Sequence, residues 1–279
     1  MSDSAKELTE KILKGERKYS AVIPTGGKGG GMYPLTAGMP KALLPLDKLP
    51  LIVHILKYLD NSIFDKVIIL CNDWKPMIES YVDSFKKSFD FKFEIIYRYL
   101  DEKRQPGNMV SEFLSELINE GAEIISDPFL LHYSDVLINH RIDWEAIIEQ
   151  YDFEKKQFEK KHKKISAMLL ASKSFEYPVG LIKTKSLNKT IDKFEQKPKS
   201  LIFTEYYANC AISFISKFFI QNHIKWEKPG LDIFDEWFKN ALERKECITA
   251  YEIKSWYHFQ HLGTWLDAQR EHYSHLDFF

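Results

Sequence analysis

A chain of 279 residues, 44% hydrophobic and 14% aromatic, carries enough apolar side chain to fill the core of a large α/β domain, which excludes the disordered and fibrous classes. Its 39 basic and 40 acidic residues leave a formal net charge of -1, so no global field draws it to nucleic acid or an anionic membrane, and phosphate recognition has to be local. Cys71, Cys210 and Cys247 lie far apart without CxxC spacing and the first residues have no apolar signal core, so a cytoplasmic protein without zinc or disulfides is the expectation.

Leu8, Ile12 and Leu13 recur at helical spacing among charges and predict an amphipathic leader helix within residues 1–18, ahead of a main domain over 19–279. The apolar run 19–23 reads as a strand that empties into Pro24-Thr25-Gly26-Gly27-Lys28-Gly29-Gly30-Gly31. A helix over 50–59 and a continuous apolar strand over 66–71 complete a βαβ unit. The alternation repeats with a helix over 76–85, a strand over 93–97, a helix over 110–118 and a strand over 129–132, which predicts a doubly wound α/β sheet of Rossmann-like type. Residues 143–164 are heavily charged and read as an exposed helix end or loop; the acidic residues interleaved with its lysines argue against a nucleic-acid surface. Further strands are predicted over 167–171, 180–183 and 211–214, and helices over 231–242 and 266–272. No internal repeat occurs, so a single domain without a β-helix tail is expected.

The five glycines between Gly26 and Gly31 each cost backbone entropy on ordering, and close approach of main-chain N–H groups to a phosphate is the usual return for that cost. A flexible surface hairpin is the alternative reading of the same composition. Neither GxxxxGK[ST] nor a well-placed GxGxxG is present, which disfavours a P-loop enzyme and a dinucleotide oxidoreductase.

The stretch from Gly26 through Met32-Tyr33-Pro34-Leu35-Thr36-Ala37-Gly38-Met39-Pro40-Lys41-Ala42-Leu43-Leu44-Pro45-Leu46 resembles the signature GGxGTRLxPLTxxxPKxLxPL of the sugar-1-phosphate nucleotidylyltransferases. The resemblance implies a reaction of a nucleoside triphosphate with a sugar-1-phosphate, aided by a divalent metal, magnesium or manganese. It gives Gly26, Gly27, Gly29 and Gly30 to the triphosphate and Lys41 to the attacking sugar phosphate. Gln105-Pro106-Gly107 stands where Gln and Gly of the family face the base, and Asp135, after 129–134, stands where an Asp binds the metal. Tyr177-Pro178-Val179-Gly180, Glu195-Gln196-Lys197-Pro198 and Tyr207-Ala208-Asn209 resemble the sugar-binding segments, which assigns Gly180, Gln196, Lys197 and Asn209 to the sugar phosphate. His261-Leu262-Gly263-Thr264 takes the place of a segment whose Asp is the second metal ligand. A homodimer follows by analogy alone.

Three positions depart from the family pattern: Gly31 replaces an Arg that holds the β and γ phosphates, Gln196 a sugar-binding Glu, and His261 the metal-binding Asp. Lys28 is the candidate to supply the missing charge, and His261 reads either as a metal ligand or as a hydrogen-bonded loop histidine. Two functions follow: an active nucleotidylyltransferase, or a binding or regulatory protein that kept the pocket and lost turnover.

Overall fold

The computed structural model describes residues 18–26, 29–100, 110–114, 116, 124–174, 180–184, 190–196, 206–226 and 233–274. The expected leader helix lies outside them. In chain order the elements are β1 (Tyr19–Pro24), β2 (Pro45–Leu46), β3 (Leu49–Pro50), α1 (Leu51–Tyr58), β4 (Phe64–Cys71), α2 (Lys75–Phe89), β5 (Glu94–Tyr99), β6 (Phe129–His132), β7 (Val136–Ile138), α3 (Trp144–Glu159), β8 (Ile165–Ser172), β9 (Gly180–Thr184), β10 (Ile191–Gln196), β11 (Tyr206–Ile215), α4 (Lys217–Trp226), α5 (Phe238–Glu243), β12 (Cys247–Glu252), β13 (Trp256–His258) and α6 (Leu262–Ser274).

The apolar runs become strands covered on both faces, because successive side chains of a strand point to opposite sides. Ala21 and Ile23 of β1 join Val67 and Ile69 of β4 in one core with Ile52 and Leu56 of α1 and Trp144 and Tyr151 of α3. Val22, Ile68 and Leu70, the residues in between, face a second core with Phe219 of α4 and Phe238 of α5. Each such large side chain taken fully from water contributes about 1.5–3 kcal/mol.

Among the described residues the main sheet has nine strands and is mixed, as the doubly wound reading predicts. β1 pairs in parallel with β4 on one side and β6 on the other, and β4 pairs in parallel with β5. The chain thus winds from β1 through β4 to β5, then returns to the far side of β1 as β6. β1 and β6 flank the point where the winding reverses, and their carboxyl ends open the crevice where ligands of such sheets bind. Beyond β6 the order turns antiparallel through β11, which pairs with β6, β8 and β9.

The charged segment 143–164 is a correction: a sixteen-residue helix, α3, covers most of it. Asp143 caps it, its carboxylate accepting from Ala146 N at 3.0 Å, and Trp144, Ile147, Ile148, Tyr151 and Phe158 bury one stripe. No helix of the described residues is long and apolar enough to cross a membrane. All three cysteines are buried free thiols.

Candidate active site

Thr25 fixes the exit from β1, since its N–H and hydroxyl both donate to the carbonyl of Leu70, at 2.9 and 2.7 Å. Gly26 follows, half-buried, and Gly27 and Lys28 lie outside the described residues. Gly29 adopts the left-handed conformation at φ 60°, where a Cβ would also strike Thr36 Cγ2 at 2.8 Å, so two independent reasons require glycine there. Thr36 Oγ1 donates to the Gly29 carbonyl at 2.8 Å and closes the loop on itself. Three single turns of 3-10 helix follow, Gly30–Met32, Leu35–Ala37 and Lys41–Leu43. Met32, Ala42, Leu43 and Leu44 are buried and pin these turns to the core, which leaves the Lys41 side chain at the rim.

Lys41 Nζ meets Asp135 Oδ2 at 3.0 Å. Asp135 occupies the turn between β6 and β7, so the contact spans the crevice between the ends of β1 and β6. A third group completes it. β13 pairs antiparallel with β7, placing His258 opposite Val136, and the Phe259 N–H donates to the Asp135 carbonyl at 2.8 Å. His258 Nε2 then stands 3.9 Å from Asp135 Oδ2. The three side chains remain 20–23% exposed, reachable by a ligand without being fully hydrated. Burial pushes the Asp135 carboxyl up, but the Lys41 ammonium and then His258 outweigh it and hold the group below its ordinary value, so the carboxylate is charged at neutral pH.

His132, at the end of β6, is a structural neighbour. Burial brings its pKa down to about 4, so it is neutral. Its Nδ1 donates to the Tyr133 carbonyl at 2.9 Å, which leaves Nε2 to accept from the Tyr58 hydroxyl.

Two residues assigned to the sugar phosphate come together: the register of β9 and β10 sets Gly180 directly opposite Gln196. Asn209 is buried on β11, one residue beyond the pair Ala208–Leu181, and its Oδ1 accepts from Ala211 N at 3.2 Å across a bulge where Ala211 has φ 52°. Gln105, Gly107 and Lys197 lie outside the described residues.

Gly31 is glycine for a steric reason. Its backbone is not left-handed, yet an ideal Cβ there would sit 2.0 Å from the Gln260 carbonyl oxygen. In this arrangement an arginine cannot occupy the position unless the turn after β13 moves. The same imagined Cβ would lie 3.3 Å from His261 Nδ1, so the exposed His261 stands beside the glycine run, and the histidine facing Asp135 is His258. His258 escapes sequence reasoning because only the pairing of β13 with β7 brings it to Asp135.

A family model described as nucleotidyl transferase matches residues 20–269. The chain is 24% identical over 192 residues to the bifunctional protein GlmU of Methanococcus maripaludis strain C5, covering 69% of this chain and 39% of that protein. It is 24% identical over 180 residues to mannose-1-phosphate guanylyltransferase 1 of Arabidopsis thaliana, covering 64% of this chain and 45% of that one. The matches thus span less than half the length of these curated relatives. Among solved structures, a UDP-glucose pyrophosphorylase complexed with UDP-glucose superposes with a TM-score of 0.70 at 17% identity, over 92% of this chain and 99% of that one.

Proposed function

The chain belongs to the nucleotidyl transferase family, and on that premise we propose that it transfers a nucleotidyl group from a nucleoside triphosphate to a sugar-1-phosphate, releasing pyrophosphate. One observation carries the proposal: Lys41, from the loop after β1, meets Asp135, from the turn after β6, across the crevice where the winding of the sheet reverses. The names of the guanylyltransferase and the pyrophosphorylase support the substrate class.

In this reaction a phosphate oxygen of the sugar-1-phosphate attacks the α-phosphorus of the triphosphate. One P–O bond forms as the bond to the pyrophosphate oxygen breaks, in line, and no protein nucleophile takes part. Positioning and neutralisation are the protein's whole contribution. Lys41 is a compact charge at the rim, suited to offsetting oxygens that gather around the α-phosphorus. Gly26, Gly27, Gly29 and Gly30 take the triphosphate, and at Gly29 a Cβ would strike the Thr36 side chain. Gly180, Gln196, Lys197 and Asn209 take the sugar phosphate, and Gln105 and Gly107 the base.

A divalent metal fits Asp135 with His258 beside it. Among the described residues no group of three His, Cys, Asp or Glu side chains comes together to hold an ion. One carboxylate completed by substrate phosphates and water is, however, the way magnesium is commonly bound in phosphoryl-transfer sites. The ion would supply charge neutralisation between phosphates.

A second reading, a binding or regulatory protein without turnover, is favoured by the closed space at Gly31, where the family's arginine is excluded. Pyrophosphate release by the purified chain, assayed with each nucleoside triphosphate, a panel of sugar-1-phosphates and magnesium or manganese, separates the two. Release with at least one pair supports the enzyme. Nucleotide binding without release under every condition overturns it in favour of the second reading.

A further inference from the structure

The glycine run has a glycine where the family carries an arginine, and it has gained a neighbour. Lys28 lies outside the described residues, no residue between Gly29 and Pro40 carries a positive charge, and Lys41, the next one, stands 3.0 Å from Asp135 at the α-phosphate end of the proposed site. A polyphosphate entering this loop still brings several negative charges that need donors. The turn after β13 reaches into that space. It is anchored by the buried Phe259, whose N–H donates to the Asp135 carbonyl at 2.8 Å, and by the Gln260 N–H, which donates to the His258 carbonyl at 2.9 Å. From this anchor the Gln260 carbonyl lies 2.0 Å from where a Gly31 Cβ would be, and His261 Nδ1 lies 3.3 Å from the same point. The room that a side chain at position 31 would cross is filled by the second loop, and an exposed imidazole stands at its edge.

We propose that His261 is the residue that contacts the terminal phosphates of the triphosphate, its ring N–H donating from the second loop in place of the arginine that the family carries at position 31. The proposal rests on the nucleotide-binding reading given above. An imidazole always carries at least one N–H, so the contact needs only that the ring face the phosphate. The glycine at position 31 and the histidine at position 261 are then one device: the bare glycine lets the turn approach, and the turn delivers the donor. His258, three residues earlier at the end of β13, keeps its place beside Asp135, so the two histidines serve different groups.

The test titrates the full chain with inorganic tripolyphosphate, a nucleoside triphosphate and the matching nucleoside monophosphate, with thermal melting as the control for folding. His261→Ala is expected to weaken tripolyphosphate and triphosphate binding at least tenfold while changing the monophosphate less than twofold, the size of one lost charge-assisted contact at the terminal phosphates. His261→Arg is expected to return the affinity to within threefold of the starting protein or better. Equal losses on the triphosphate and the monophosphate, or no loss at all, overturn the assignment of His261 and leave nucleotide binding standing. A loss confined to Lys28→Ala with His261→Ala unchanged also overturns it and assigns the contact to the glycine loop. If the starting protein binds no nucleotide and no tripolyphosphate, the nucleotide reading itself falls.

Discussion

Two clusters in this molecule contain the same kinds of charge, and their surroundings give them opposite character. At the crevice, Lys41, Asp135 and His258 form one. Far from it, Arg244, Glu246 and His223 form the other, between α4, α5 and β12. There Ser166 Oγ donates to Glu246 at 2.6 Å, Arg244 Nε donates to it at 3.3 Å, and the guanidinium also donates to the His223 ring at 2.9 Å. His223 is fully buried and stacks on Trp237 with ring centroids 5.3 Å apart. Burial, and then the neighbouring Arg244, bring its pKa down to about 3, so its contact with Glu246 is not an ion pair. In the second cluster the carboxylate and the histidine are the closed members, with 9% of the Glu246 side chain and none of His223 exposed while Arg244 keeps 32% open; the first keeps about a fifth of each of its three side chains open at the end of two parallel strands. A carboxylate, a cation and a histidine make a site only where the fold leaves them something to bind.

The comparison breaks or sharpens on three measurements. Lys41→Ala is expected to lower kcat/KM, or triphosphate affinity where turnover is absent, by about 100-fold, which is roughly 2.7 kcal/mol, with little change in Tm. A large loss of Tm with unaltered kinetics would make the crevice cluster structural as well. Arg244→Ala is expected to do the reverse, costing on the order of 2 kcal/mol in denaturant unfolding because Glu246 stays buried with one partner removed, while kcat/KM stays within twofold. A tenfold kinetic effect there would dissolve the distinction.

The third measurement is of pH dependence. The folded His223 takes a proton only near pH 3, whereas the unfolded side chain takes one near its ordinary 6.5, so the unfolded state binds more protons between those values. Stability is therefore complete above about 6.5 and falls as the pH drops towards 3, by up to ~1.4 kcal/mol per pH unit from this one group. Tm measured from pH 7 to pH 4 should fall less steeply in His223→Gln than in the unaltered protein, and parallel curves would remove His223 from the account.

What the sequence discloses follows the range over which its signals act. β1, β4 and β6 are continuous apolar runs, so they are legible locally, and the segment from Gly26 to Leu46 announces both the loop and Lys41. The helix α3 was hidden by its charges, although Trp144, Ile147, Ile148, Tyr151 and Phe158 carry a helical stripe behind the Asp143 cap. β7 and β13 have three residues each, too few for any alternation to register, and their pairing joins segments some 120 residues apart. His258 beside Asp135 and the Gln260 carbonyl against Gly31 both depend on that pairing, so no local pattern could announce them.

The hairpin of β2 and β3, which follows Lys41, is held from the other end of the chain. Trp265 Nε1 and Gln269 Nε2 of α6 both donate to the carbonyl of Pro45, at 2.9 and 2.6 Å, and Gln269 Oε1 accepts from Asp47 N at 3.1 Å. Pro45 and Gln269 are 224 positions apart. Closing so long a loop costs conformational entropy, so these bonds follow the local contacts of the hairpin rather than precede them. A polypeptide emerging amino end first from the ribosome has therefore made its glycine segment and its lysine long before the residues that fasten the adjoining hairpin exist, and the hairpin beside the crevice waits on α6.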